Sequence, residues 1–164
     1  MASSFQVTFF LGLTCGLFIA GTVSQQDDTN QPAPTCAPGW TQFGSRCFIF
    51  FGEAKMWIDA EQACNDIGGN LASLHSAAEN DFLRDHTTRV SNNIHKHTWI
   101  GGHDAVQEGR WMWSDGTTFK YERWGTGEPN NHLGEDCVEM NFRVSYWNDL
   151  PCHHQRPFVC AKDV

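Results

Sequence analysis

The chain opens on an unbroken apolar block and then alternates between helical and strand-like spacing of its apolar residues. Phe5, Val7, Phe9, Phe10, Leu11, Leu13, Leu17, Phe18 and Ile19 dominate residues 5–20, and small residues at Ala20, Gly21, Thr22 and Ser24 lead into Gln25-Gln26-Asp27-Asp28. The block is short for a membrane span, which needs about 20 apolar residues. With its small-residue sequel it reads as a secretory signal over residues 1–24, cleaved near Ala20 to Ser24. The alternative, a retained signal-anchor, lacks the basic flanks that orient one. Residues 25–35 are polar, carry Pro32 and Pro34, and read as a flexible tail ahead of a domain over 36–164.

Past the tail, Pro38-Gly39-Trp40 and Gly44 predict a small hairpin, and Phe48-Ile49-Phe50-Phe51 a buried strand. Trp57, Ala60, Cys64 and Ile67 recur at helical spacing and make one apolar face, stopped by Gly68-Gly69. Ser76 and Glu79 form a capping-box pattern for a second helix running to about Val90, with Phe82, Leu83, His86 and Val90 inward. Thr98 to Gly102 reads as a core strand, Trp111-Met112-Trp113 as a strand into a turn, and Val138-Glu139-Met140, Tyr146-Trp147 and Phe158-Val159-Cys160 as further strands. Helices early and short strands late predict an α+β fold.

Acidic residues exceed basic ones by 19 to 11, for a net charge of −8. That balance argues against nucleic acid and anionic membrane surfaces and suits divalent cations and neutral ligands. Cys15 lies in the signal, and Cys36, Cys47, Cys64, Cys137, Cys152 and Cys160 remain, an even set that implies disulfides in a secreted chain whose pairing sequence alone cannot choose. A zinc site is a poor rival without any Cys-x-x-Cys, and His95-Lys96-His97 and His153-His154 read as surface histidines. No nucleophile–base pair and no phosphate loop stands out, so the chain is read as a binder and not an enzyme.

The densest chemistry runs from Glu128 to Asp149. Gly127, Pro129, Asn130, Asn131 and Gly134 mark a loop. Glu128, Glu135 and Asp149 bring negative charge, and Asn130 and Asn148 bring neutral carbonyls. Oxygen ligands at this density suit Ca²⁺, which takes about 6–8 of them. A Glu and an Asn one residue apart present an acceptor and a donor beside an open metal face, which matches a sugar diol.

Glu128-Pro129-Asn130, the following Glu135-Asp136-Cys137 and Trp147-Asn148-Asp149, in this order before a terminal Cys, resemble the Ca²⁺-dependent sugar site of C-type lectins. The likeness spans Cys36 to Cys160 and includes Trp99-Ile100-Gly101, where Gly102 departs from the family's usual Leu and is expected to weaken local packing slightly. The resemblance implies two helices with antiparallel sheets, a long Ca²⁺-binding loop and disulfides Cys36–Cys47, Cys64–Cys160 and Cys137–Cys152. It implies Glu128, Asn130, Glu135, Asn148 and Asp149 as metal ligands. The same residues except Asp149, with His132 against the ring, would hold the sugar. A second Ca²⁺ site would use Asp104, Glu108, Asn131 and Asp136. In this family Glu-Pro-Asn marks mannose-type sugars and Gln-Pro-Asp galactose types. The expected protein is thus a secreted, extracellular Ca²⁺-dependent lectin for mannose-type glycans on microbial or cell surfaces, serving innate immunity by analogy and gaining avidity as a possible homo-oligomer. The alternative is a lectin-like antifreeze or protein-binding protein using the same loop.

Overall fold

The last strand runs through the middle of the sheet. The computed structural model describes residues 35–164, so the signal and all but the last residue of the tail lie outside the described residues. The elements run β1 (Thr41–Phe43), β2 (Arg46–Lys55), α1 (Trp57–Asn65), β3 (Asn70–Leu71), α2 (Ala77–Val90), β4 (Thr98–His103), β5 (Met112–Trp113), β6 (Cys137–Phe142), β7 (Tyr146–Leu150) and β8 (Arg156–Asp163). They form one connected sheet in the order β1-β2-β8-β4-β6-β7, with β3 also on β8 and β5 on β4. Pairing is antiparallel except between β8 and β4, which meet in parallel at Trp99 and Phe158. The expected antiparallel sheets are therefore a single mixed sheet, because β8 returns to lie between β2 and β4.

The three disulfides join the cysteines as the resemblance implies: Cys36–Cys47, Cys64–Cys160 and Cys137–Cys152. Cys64–Cys160 spans a sequence separation of 96, and in the chain-entropy account a loop of that size stabilises by about 4–5 kcal/mol, more than either short loop. It fastens α1 to β8, where Trp57, Ala60, Leu71, Trp99 and Phe158 make one buried cluster. A second cluster gathers Phe48, Leu74, Leu83, Ile100, Val138 and Trp147. Glu61 on α1 stitches the first to its neighbours, accepting from the Asn70 side chain at 2.6 Å, Leu71 N–H at 2.7 Å and Ser114 Oγ at 2.9 Å.

Both helices depart from expectation at their ends. Helix α1 stops at Asn65, and Ile67, read as part of its apolar face, is 38% exposed. Gly68 turns the chain at φ 77°. The Gly69 N–H closes back on Cys64 O at 3.0 Å. A Cβ at Gly69 would stand 2.6 Å from Ala161 O, so the close approach of β8 requires glycine there. In α2, Leu83 and His86 are buried and Phe82 stacks on Phe43 at 4.7 Å, but Val90 is 49% exposed because the last turn runs past the sheet. Ser76 caps the helix by accepting from Glu79 N–H at 3.2 Å. Glu79 reaches the N–H of His75 rather than that of Ser76, at 2.7 Å, and pairs with Arg46 at 2.6 Å.

Gly102 proves tightly packed rather than loosely. A Cβ there would meet Val138 Cγ2 at 2.6 Å and the Trp113 ring at 3.2 Å. Val138 is β-branched, fully buried and stiff, so it cannot yield cheaply. G102A is expected to destabilise by about 1–3 kcal/mol, the range for overpacking a close-packed core. A denaturant titration would measure it, and an unchanged midpoint would show that Val138 can repack.

Candidate functional site

From Ser114 to Asp136 the chain has no helix and no strand beyond an isolated bridge between Trp124 and Trp147. A segment of this length must satisfy its backbone on something other than itself. Strand β7 provides that support. The Trp147 ring meets Trp113, Phe119, Tyr121 and Trp124 edge-on at centroid distances of 5.6, 6.0, 5.5 and 5.8 Å. Edge-to-face pairs of this kind add about 0.5–1.5 kcal/mol each beyond area burial. The backbone of Trp147 donates to Arg123 O and accepts from Gly125 N–H, both at 2.8 Å. Its indole N–H donates to Asn80 Oδ1 at 2.8 Å.

Two residues on, Asp149 is fully buried and its carboxylate accepts the backbone N–H of Asn130 at 3.0 Å and of Asn131 at 2.7 Å. This draws the Glu-Pro-Asn turn, with its cis Glu128–Pro129 bond, onto β7. Asn130 Nδ2 donates to Glu128 Oε2. The His132 N–H is shared between Asn130 Oδ1 at 2.8 Å and Glu135 Oε2 at 3.0 Å. Hydrogen bonds thus link Glu128, Asn130, Glu135 and Asp149 into one connected group, each keeping lone pairs beyond those its hydrogen bonds use. Burial raises the Glu128 carboxyl above its ordinary pKa, and the Asp149 charge adds to this. Burial raises Glu135 likewise, with Asp149 and Glu128 adding.

Asn148 sits beside this group, 8% exposed, with its NH₂ directed to Glu139. The His132 side chain stands exposed at the loop tip. Next to it Leu133 is 88% exposed at φ 62°, a backbone region that leucine rarely adopts.

Asp104, Glu108 and Asp136 form a second carboxylate group, with one oxygen from each within 4.8 Å of the others. Asp104 is 1% exposed, and its Oδ2 accepts the Gly109 N–H at 2.7 Å while its Oδ1 is buried with no partner. Burial, then the charges of Asp136 and Asp149, raise its pKa against the Gly109 hydrogen bond. Asp149 therefore acts electrostatically on both groups. Asn131, expected in the second group, gives its side-chain oxygen to Glu135 N–H at 2.9 Å and lies at the seam between the two.

Sequence reasoning treated Glu139 only as part of a strand. It is 1% exposed and bonded to Arg156 Nε at 2.7 Å, His97 Nδ1 at 2.8 Å and Asn148 Nδ2 at 3.2 Å. Burial opposes its ionisation, yet the hydrogen bonds from His97 and Arg156 prevail and hold its pKa below the usual glutamate value. His97, read as a surface histidine, is a partner of this buried carboxylate. Strand alternation turns Glu139 to the sheet face opposite Val138 and Met140, a face that is also buried, and an acid inside an apolar strand was the signal available.

The raised pKa values of Glu128 and Glu135 set the sign of a pH effect. In metal-free protein the folded state holds their protons more tightly than the unfolded chain does. Their contribution to stability is therefore favourable at low pH and is lost as pH rises from about 4 through the raised values. E128Q/E135Q, which cannot ionise there, is expected to gain in Tm relative to the metal-free parent as pH is raised from about 4 to 7. Paired thermal melts in EDTA check this, and a Tm difference flat with pH would refute the electrostatic account.

Comparison with known proteins shows the family. The family model described as the lectin C-type domain matches residues 53–162. The chain is 43% identical over 165 residues to the galactose-specific lectin nattectin of Thalassophryne nattereri, covering 100% of both. The structure of a herring type II antifreeze protein superposes with a TM-score of 0.72 at 38% identity, covering 79% of this chain and 99% of that one. The carbohydrate-recognition domain of cow CD23, solved in the presence of a GlcNAc2Man3 oligosaccharide, superposes at 0.71 with 36% identity, covering 79% and 97%. Among the described residues, no helix is long and apolar enough to cross a membrane. An oxygen-rich loop braced on a Trp-Asn-Asp strand, three disulfides, an α+β fold and a domain match over most of the chain identify it as a member of the C-type lectin family, whose members bind carbohydrate and are not enzymes.

Proposed function

We propose that this chain is a secreted lectin that binds mannose-type terminal sugars through Ca²⁺. What supports the reading is the hydrogen-bonded chain that links Glu128, Asn130, Glu135 and Asp149 in one loop and strand, with Asn148 next to Asp149. The donor set fits the ion: it is all oxygen, mixes carboxylates with amide carbonyls, and is electronegative enough to raise its own acids. Ca²⁺ bound there supplies coordination positions for two neighbouring sugar hydroxyls. Glu128 accepts from one hydroxyl and Asn130 donates to the other, and Glu135 and Asn148 do the same on the opposite side. Exposed His132 and Leu133 offer ring and apolar surface beside the sugar.

Asp104, Glu108, Asn131 and Asp136 would hold a second Ca²⁺. The unpartnered, buried Asp104 Oδ1 fits an ion there, since a buried carboxylate oxygen without a partner is costly.

Mannose-type preference rests on Glu128-Pro129-Asn130, the triplet that accompanies such sugars in the family. A galactose preference is the competing choice, favoured by the name of the nattectin relative. An ice-binding or protein-binding use of the same loop is the second reading, favoured by the herring antifreeze neighbour. One diol buries little surface, so useful avidity calls for several sites on one assembly, and recognition of microbial glycans is the role this implies.

Retention on mannose-agarose tests the reading. The protein is expected to bind in Ca²⁺, to elute with EDTA or free mannose, and to resist free galactose, and E128Q is expected to abolish retention. Elution by galactose alone would move the preference to galactose. Absence of retention despite Ca²⁺ binding in calorimetry, with inhibition of ice recrystallisation, would replace the sugar reading with the antifreeze one.

A further inference from the structure

We propose that Glu139 is a positioning residue for Ca²⁺ binding, fixing which end of the Asn148 amide faces the ion. The inference rests on the reading of Asn148 as a ligand.

The two residues are direct cross-strand partners, Glu139 on β6 opposite Asn148 on β7. An asparagine amide can turn over, since its oxygen and nitrogen are nearly equal in size, and only its hydrogen-bond partners decide which end points where. An ionised carboxylate accepts hydrogen bonds and donates none. Glu139 Oε1 at 3.2 Å from Asn148 Nδ2 therefore admits the NH₂ and rejects the oxygen. The amide is planar, so Oδ1 is turned away from Glu139. With the amide turned over, an NH₂ would face the cation and an oxygen would face a carboxylate, and both contacts would be repulsive.

A purely structural role accounts poorly for a charge at this place. Buried ion pairs are commonly no more stabilising than well-packed apolar residues of similar size. Val138 and Met140 on either side are apolar and buried. Yet Glu139 is held ionised by Arg156 Nε at 2.7 Å and His97 Nδ1 at 2.8 Å. Those two partners occupy part of the carboxylate's capacity and orient the remainder toward Asn148. Groups behind a metal ligand orient it in this way, and their loss typically weakens metal binding by about 10–100-fold.

Calorimetric Ca²⁺ titration of the full chain is the test. N148A identifies the ion that depends on Asn148. E139Q, which can present an NH₂ of its own to that amide, is expected to weaken the same ion by about 10-fold or more. In an N148D background the ligand offers oxygen whichever way it turns, and E139Q is expected to lose most of its effect. R156Q removes the ion pair but leaves Glu139 facing Asn148, and it is expected to lower the metal-free Tm with a smaller change in Ca²⁺ affinity. The parent supplies a readout that needs no variant to fold: its Asn148 side-chain NH₂ protons should exchange slowly in EDTA, as a buried hydrogen bond requires. Three results overturn the inference: an E139Q Kd within about twofold of the parent, an equal loss in the N148D background, or rapid exchange of that amide. The factor of two is about 0.4 kcal/mol, below what a lost buried hydrogen bond is worth. A parent with no ion sensitive to N148A overturns the reading of Asn148 as a ligand together with this inference, which separates the two failures.

Discussion

Strand β7 is the constraint on which the site depends. The segment from Ser114 to Asp136 has almost no regular structure, so its shape comes from what it rests on. Three consecutive residues do three different tasks. Trp147 gives the segment an apolar floor and two backbone hydrogen bonds. Asn148 is oriented from behind by β6. Asp149 draws in the loop through the N–H groups of Asn130 and Asn131. A fully buried tryptophan is worth about 3–5 kcal/mol against alanine, so the floor alone outweighs the individual hydrogen bonds, each near 1 kcal/mol net. Packing places the loop, and the hydrogen bonds select its geometry.

This arrangement separates what holds the fold from what holds the charge. Cys137–Cys152 ties the start of β6 to the segment after β7, and Cys64–Cys160 ties α1 to β8. These bonds keep the scaffold closed whatever the state of the acids. Burial first, and then the Asp149 charge, raise the pKa of Glu128, Glu135 and Asp104. Like charges so placed disfavour one another's ionisation. The consequence is confined to the loop because covalent and apolar contacts carry the rest.

Much of this was legible in the sequence, and what was not shares one cause. The helices, the strand around Trp99, the loop and its acids, and the Trp-Asn-Asp triplet all lie in short stretches whose spacing or composition speaks for itself. The passage of β8 between β2 and β4 does not, since a parallel contact between Trp99 and Phe158 leaves no mark on either strand. Nor does the tightness around Gly102, which depends on Val138 and Trp113 arriving from elsewhere. Ile67 kept the helical spacing but falls after α1 has ended, and Val90 is half-exposed as the last residue of α2. Glu139 was visible as an acid between apolar neighbours, but its partners Arg156, His97 and Asn148 come from three separate segments. Local pattern reports local structure, and long-range pairing has to be seen.

The same reasoning explains why membership of the family does not by itself choose the ligand. Relatives and structural neighbours at comparable similarity carry names as different as a galactose-specific lectin and an antifreeze protein. The residues that make the scaffold are buried in its two apolar clusters, Trp57, Trp99 and Phe158 in one and Trp147 in the other. The residues proposed to meet a ligand are few and lie on the loop, where Asn130 and His132 are exposed. Exchanging one of them changes no core contact, so the ligand can diverge while the fold stays constant. Leu133 shows this most plainly, because an exposed leucine at positive φ stabilises nothing in the folded chain.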